Sequence, residues 1–122
     1  MASRRGPAKP KIAPLPGRPA RGSRTGRPIM ALFDLLGRRW CLRILWELRE
    51  DPATFRELRD RCGGVSPAVL NERLRELAEA GVVSGGRAGG YRLTVHGRAL
   101  VRALSPLRRW SVAWARRATS SG

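Results

Sequence analysis

The clearest hydrophobic pattern in the chain is a spaced run of leucines in its second half. Leu70, Leu74 and Leu77 stand at i, i+4 and i+7, a spacing that places them on one face of a helix. Ser66 can cap the start of that helix with its hydroxyl, and Gly81 can end it in a left-handed conformation. The pattern predicts an amphipathic helix over residues 66–80, with a polar face opposite the leucines.

A shorter helix is predicted immediately upstream, over residues 54–62. Thr54 and Glu57 have the spacing of a capping box, in which the side chain of each residue bonds the backbone N–H of the other. Gly63 and Gly64 follow, and glycine accepts the backbone conformations of a sharp turn. The second helix can then cross the first rather than continue it, as a helix-turn-helix requires.

A glycine-rich hairpin is predicted after the longer helix. Val82 and Val83 begin one strand, residues 91–93 form the other, and the turn between them presents Arg87. Helix, turn, helix and hairpin in this order are typical of a winged helix-turn-helix, a mainly α fold with a small β-hairpin wing. In that fold the second helix enters the major groove of DNA. The wing, over residues 82–93, is expected on the flanking backbone or minor groove.

Apolar helices flank this module on both sides. One spans residues 29–36, a core helix follows over residues 38–49, and a last helix runs from Val95 to about Arg117. Pro106 should kink or split that last helix. Little core remains to be covered beyond the wing, so the apolar faces of the first and last helices predict a homodimer interface. The alternative is that the last helix folds back on the first within one chain. The residues of the predicted interface are Ile29, Leu32, Phe33, Leu36, Leu104, Leu107, Trp110 and Trp114.

The formal charge of +16 is divided evenly between an N-terminal tail and the rest of the chain. Residues 1–27 carry eight basic residues, no acidic residue and five of the nine prolines. With almost no large apolar side chain, this segment cannot form a core and is predicted to be disordered. The folded domain is predicted to span residues 28–117, and residues 118–122 are expected to fray. A basic domain with a basic tail favours a nucleic-acid partner.

Candidate chemistry changes this picture little. Cys41 and Cys62 lack the spacing of a zinc site, and His96 has no catalytic partner nearby, so no enzyme, metal or cofactor site is predicted. No segment reaches the length of a membrane span, and the chain shows no apolar signal-peptide core. A cytoplasmic, nucleoid-associated protein is expected.

The DNA contacts expected from this fold fall into groups. Asn71 and Arg75 lie opposite the leucines, where asparagine can pair with adenine and arginine with guanine. The alternative for Arg75 is a surface pair with a neighbouring glutamate. Glu72 would have to meet a cytosine amino group, an arginine or water. The residues expected to contact DNA at the helix start are Ser66, Pro67 and Ala68. The residues expected to contact phosphates are Arg38, Arg39, Arg73, Arg87 and Arg92.

Four sequence blocks resemble a known family of bacterial regulators. They are ALFDLLGRRWCLRILWEL (residues 31–48), TFRELRD (54–60), VSPAVLNERLRELAEAGVV (65–83) and YRLTVHGRAL (91–100). In this order and spacing they are similar to the HxlR-type winged-helix transcriptional regulators, over about residues 28–117. The resemblance implies cytoplasmic homodimers that bind operator DNA and dimerise through their first and last helices.

Two departures limit what the resemblance implies. Family members that sense oxidants commonly carry a Cys-Pro pair before the first helix, whereas this chain has Arg27 before Pro28. Redox sensing by that route is therefore not implied. The wing is also shorter than usual and rich in glycine, although Arg87 keeps a charge at its tip.

Three functional hypotheses follow from the sequence. The leading one is a dimeric, sequence-specific DNA-binding regulator that acts as a repressor. The second is a basic architectural protein or RNA-binding protein with little sequence preference, because basic tails bind phosphate without reading sequence. The third, a protein-interaction module, is disfavoured by the positive charge of both parts. Preference for one duplex over scrambled duplex at moderate salt separates the first two.

Overall fold

Six helices and a two-stranded antiparallel sheet make up residues 27–120, which are the part of the chain that this computed structural model describes. The winged helix-turn-helix predicted from the sequence is confirmed. The predicted tail, apart from Arg27, and residues 121–122 lie outside the described residues. The elements are α1 (Pro28–Leu36), α2 (Cys41–Glu47), α3 (Phe55–Cys62), α4 (Pro67–Glu79), β1 (Val83–Gly85), β2 (Tyr91–Leu93), α5 (Val95–Leu104) and α6 (Pro106–Ser120).

The hydrophobic core lies between α2, α3 and α4. Ile44 of α2, Leu58 of α3, and Leu70, Leu74 and Leu77 of α4 are all buried in it. Full burial of one such side chain contributes roughly 1.5–3 kcal/mol. The leucine face predicted for α4 therefore attaches this helix to the domain and leaves the opposite face to solvent.

Side-chain caps set where α3 and α4 begin. Thr54 Oγ1 accepts from the Glu57 N–H at 3.1 Å, and Glu57 Oε1 accepts from the Thr54 N–H at 2.8 Å, so the predicted capping box is formed. Ser66 Oγ accepts from the Val69 N–H at 3.2 Å. The two glycines between these helices both have positive φ. The local sequence thus determines the turn that separates α3 from α4.

Some element boundaries differ from the prediction. α2 begins at Cys41 rather than Arg38, because Trp40 has a left-handed backbone (φ 80°) that an α-helix does not accommodate. Pro106 splits the long last helix into α5 and α6, which was one of the two expected outcomes. α6 continues to Ser120, three residues beyond its predicted end, so residues 118–120 are helical rather than frayed.

The wing is a short hairpin with a third backbone partner. β1 and β2 pair antiparallel, and Ala53 bridges to Tyr91 through two backbone hydrogen bonds of 2.7 and 3.0 Å. Gly97 of α5 lies so close to Val82 that a Cβ would overlap the Val82 carbonyl oxygen. These contacts attach the base of the hairpin to the segment just before α3 and to α5. They therefore set the orientation of the wing relative to the helices.

Candidate nucleic-acid interface

The exposed face of α4 carries the side chains predicted to read bases. Asn71 and Arg75 are both exposed and stand one turn apart, with Leu70 and Leu74 buried behind them. The side-chain amide of Asn71 makes no hydrogen bond to any other residue among residues 27–120. The residues predicted to contact DNA at the helix start are also exposed: Ser66, Pro67 and Ala68. This face therefore exposes polar side chains of the kind that match base edges.

Arg75 already has a partner on its own helix. Its Nη2 donates to Glu72 Oε2 at 2.9 Å, so the surface pair considered as an alternative role for Arg75 is present in the unbound chain. An exposed i,i+3 ion pair contributes little stability, because water screens the two charges. A base edge can therefore replace Glu72 at little cost, and Glu72 meanwhile limits the orientations of the guanidinium.

The wing presents two further arginines. Arg87 at the tip and Arg92 on β2 are both exposed. They line a shallow concavity together with Ser84 and the glycines of the turn. Backbone N–H groups and guanidinium groups are the usual phosphate ligands of DNA-binding proteins. The position and charge of the wing suit a phosphate backbone beside the groove.

The other three predicted phosphate contacts lie in and beside the turn between α1 and α2. Arg39 is exposed, with its guanidinium 5.5 Å from the centre of the Trp40 ring. Arg38 and Arg73 are directed into the domain and are only 25% and 20% exposed. The structure thus presents Arg39, Arg87 and Arg92 to solvent and engages Arg38 and Arg73 in internal contacts.

Glu76 is the centre of those internal contacts. This α4 carboxylate is 2% exposed, and Arg73 Nη1 donates to its Oε1 at 2.7 Å. Arg38 Nη1 lies 3.6 Å from its other oxygen, and Arg38 Nη2 lies 3.7 Å from Asp34 Oδ2 on α1. Sequence reasoning missed Glu76, because an i,i+3 Arg–Glu spacing is just as common on a solvated helix face.

Cys41 lies against this charged cluster and is fully buried. Burial first, and the Glu76 carboxylate second, raise the pKa of its thiol to about 11, although the guanidiniums of Arg73 and Arg38 oppose the rise. Burial likewise raises the pKa of the Cys62 thiol. Both thiols are therefore protonated at neutral pH and are poor nucleophiles, as expected of packing residues.

The Cys41 thiol makes protein stability depend on pH above neutrality. In the unfolded chain the thiol ionises near pH 9.0, and in the fold it ionises near pH 11. The unfolded state therefore loses its proton first, so this contribution is complete below pH 9 and is lost as pH rises through 11. Urea unfolding between pH 8 and pH 11 should show about 2 kcal/mol of this loss in the wild type and not in Cys41→Ala. Parallel pH profiles for the two proteins would contradict this assignment.

α1 and α6 each expose large apolar side chains. Phe33 is 59% exposed, Trp110 is 61% exposed and Trp114 is 60% exposed. The two indole rings stack with centroids 5.6 Å apart. Ile29 and Leu107 are also exposed, whereas Leu32, Leu36 and Leu104 are half-buried. The last helix does not fold back to cover α1 in this chain, because the apolar side chains of both remain open to solvent.

The exposed apolar residues of α6 adjoin, through Leu107, a groove between α2, α5 and α6. The groove has a volume of about 460 Å³, and Arg43, Arg108 and Ser111 are its polar lining residues. Its apolar lining residues are Leu42, Leu45, Trp46, Val101, Leu104 and Leu107. The surface is larger than single scattered side chains require and has the character of an association surface.

Two properties of the described residues bear on other functions. Residues 27–120 contain no group of three or more His, Cys, Asp or Glu side chains placed to hold a metal ion. None of the helices in that same range is both long enough and apolar enough to cross a membrane.

Known proteins are similar to this chain in sequence. The sequence model of the HxlR-like helix-turn-helix family matches residues 35–119. The HTH-type transcriptional regulator YvaP of Bacillus subtilis is 32% identical in an alignment of 87 residues that covers 66% of this chain and 81% of YvaP. The segment that the family model matches, residues 35–119, includes the end of α1, all of α4, the wing and nearly all of α6.

Solved structures agree with these sequence matches. The quinone-bound YodB from B. subtilis is 30% identical, with a TM-score of 0.64 over 70% of this chain and 96% of YodB. An HxlR family transcription factor from Thermoplasma volcanium is 26% identical, with a TM-score of 0.62 over 70% and 82%. A MarR family regulator from Enterococcus faecalis is 29% identical, with a TM-score of 0.64 over 75% and 88%.

Proposed function

The chain belongs to the HxlR-like helix-turn-helix family of DNA-binding transcriptional regulators, and on that premise we propose that it acts as a homodimeric, sequence-specific repressor in the cytoplasm. Members of this family are regulators rather than enzymes, so the site is a binding surface. The observation that carries the proposal is the exposed polar face of α4, which stands on a buried leucine face and beside an arginine-bearing wing.

In the proposed complex, α4 enters the major groove and the wing lies on the flanking backbone or in the minor groove. Asn71 and Arg75 contact base edges, and residues 66–68 approach the backbone and thymine methyl groups at the helix start. Glu72 meets a cytosine amino group or stays with Arg75. Arg39, Arg87 and Arg92 contact phosphates, because their guanidiniums are already exposed to solvent.

The proposed dimer joins α1 and α6 of two copies. The apolar side chains exposed on these two helices are the support for this arrangement. Two-fold symmetry would place two α4 helices about 34–36 Å apart, so the operator is expected to be an inverted repeat. A dimer that covers such a site obstructs other proteins there, and repression is the simplest consequence.

Selection of duplexes from a random library tests the proposal. The protein should enrich one inverted repeat and bind it more tightly than a scrambled duplex of equal length at moderate salt. Equal binding of both duplexes would favour the architectural alternative. Tighter binding to single-stranded or folded RNA than to any duplex would favour the RNA-binding alternative.

Affinity is expected to fall steeply with salt, because arginine–phosphate contacts release counterions. The slope of log K against log salt should lessen by about 0.9 for each contact removed. Arg87→Ala should therefore lower the slope by about one contact and weaken all duplexes alike, as measured by fluorescence anisotropy across a salt series. Deleting residues 1–26 should act in the same direction with a larger effect. If the deletion changed which sequence was preferred, the tail would read bases and this assignment would be wrong.

A further inference from the structure

We propose that Arg38 and Glu76 are positioning residues that hold the recognition helix at a fixed orientation to α1, so that the dimer accepts one half-site spacing. This inference rests on the proposed function, since it assigns to the same DNA-reading surface the part that sets its geometry. Neither side chain needs to touch DNA for this role. Their effect on recognition is transmitted through the orientation of α4.

A chain of charges runs from one helix to the other. Asp34 on α1 contacts Arg38, which follows α1 in the turn, and Arg38 contacts Glu76 on α4. Arg73 binds the second oxygen of Glu76 at 2.7 Å. Arg73 Nε also donates to the Arg39 carbonyl at 2.9 Å, which joins α4 to the same turn a second time. The α1–α2 turn is thus fastened to α4 at two points.

α1 and α4 join one hydrophobic core, to which α1 contributes Leu35 and α4 contributes Leu70, Leu74 and Leu77. Their backbones approach each other at few points, so the chain of charges adds a polar link with its own geometry to this apolar packing. A buried ion pair contributes little net stability compared with apolar side chains of the same size, and its best-attested role is to fix one geometry. The 2.7 Å bond from Arg73 to Glu76 is a charge-assisted hydrogen bond with a restricted direction, which suits that role, and Arg38 adds a second positive charge beside the same carboxylate.

The backbone of the turn between α1 and α2 has an unusual conformation, which supports the positioning role of Arg38 and Glu76. Trp40 has φ 80°, a conformation that residues other than glycine rarely adopt, and within residues 27–120 it is the sole non-glycine residue with positive φ. Such a backbone persists where its surroundings over-determine it. The Arg73 bond to the Arg39 carbonyl and the burial of Cys41 supply those constraints.

Fixed geometry matters because both half-sites must be met at once. Adding one base pair between half-sites rotates one of them by about 35° around the DNA axis and moves it by about 3.4 Å. A dimer with rigidly held recognition helices loses affinity for the wrong spacing. A dimer whose helices can pivot loses less affinity for the wrong spacing and therefore distinguishes the two spacings less well.

The test measures affinity for the selected inverted repeat with its spacer shortened or lengthened by one base pair. The wild type should prefer its own spacer by at least about tenfold. Arg38→Met leaves Glu76 paired with Arg73, so the domain should fold, and the preference should fall to about twofold. Glu76→Gln should give the same loss, and the double variant should add little to either. Glu50→Gln, which removes one negative charge at a 77% exposed side chain, should retain the wild-type preference.

A second measurement follows the helices without DNA. Nitroxide labels on Ala78→Cys, an exposed position of α4, report the distance between the two recognition helices, because both native cysteines are buried. The distance distribution should be narrow in the wild-type background and broader with Arg38→Met.

The outcomes separate this inference from the proposed function. If Arg38→Met weakened all spacers equally, lowered the salt slope by one contact and left the distance distribution narrow, Arg38 would be a phosphate contact and the inference would be overturned. If the wild type selected an inverted repeat but showed no spacer preference, its α4 helices would not be rigidly held and the inference would be overturned, whereas the proposed function would stand. If the wild type preferred no duplex over a scrambled one, the proposed function itself would be wrong.

Discussion

Trp110→Asp is expected to convert the dimer into monomers and to abolish tight operator binding. Trp110 is exposed in the single chain and stacks on Trp114, so the proposed interface would bury both rings. A carboxylate without a partner in that interface is strongly disfavoured. Each protomer would then hold one half-site alone, and operator affinity should fall by at least about a hundredfold. Sedimentation velocity and anisotropy measure the two effects.

Two controls separate dimer loss from unfolding. Trp110→Phe keeps an apolar ring at this position and should remain dimeric. Trp110→Asp should keep the far-ultraviolet circular dichroism spectrum of the folded protein, because Trp110 is exposed in the single chain. A wild-type protein that sediments as a monomer at tens of micromolar, an order-of-magnitude range for the test, would rule out the dimer.

The features that the sequence predicted correctly are those with local causes. The Thr54–Glu57 capping box and the Ser66 cap act within one helical turn, and their spacing is visible in the chain. The three leucines of α4 repeat with the helical period, and their burial follows from that period. A proline in the interior of a helix interrupts it, as Pro106 does between α5 and α6. No tertiary information is needed for any of these.

The features that were missed depend on contacts between distant segments. Glu76 is buried because the α1–α2 turn covers it, and its partner Arg38 is 38 positions away in the chain. The same contact explains why Arg38 and Arg73, which were grouped with the phosphate contacts, face inward. Ala53 joins the sheet only because the hairpin returns to it. A left-handed Trp40 has no signal in residue type, since tryptophan disfavours that conformation.

The candidate site was therefore predicted in part. The exposure of Asn71, Arg75, Arg87 and Arg92 follows from helix period and turn chemistry, both of which are local. Which arginines stay free for DNA is decided by tertiary ion pairs, and those pairs are set by the fold. Contact of any of these residues with DNA remains a prediction.

Asn71→Ala and Arg75→Ala are expected to relax base preference while leaving the dimer and non-specific affinity nearly intact. A bidentate contact to adenine or guanine provides roughly 1–3 kcal/mol of discrimination, so each variant should lose about five- to 150-fold in operator-over-scrambled preference. Arg56→Ala is the matched control, because it removes an exposed arginine from α3 instead of α4. Glu72→Gln tests the intrahelical pair, since it removes the negative charge that Arg75 contacts at this position and should leave preference for guanine intact. Competition binding against single-base variants of the operator would locate the base pair that each residue reads. Unchanged preference in both alanine variants would mean that a different face of α4 meets the groove.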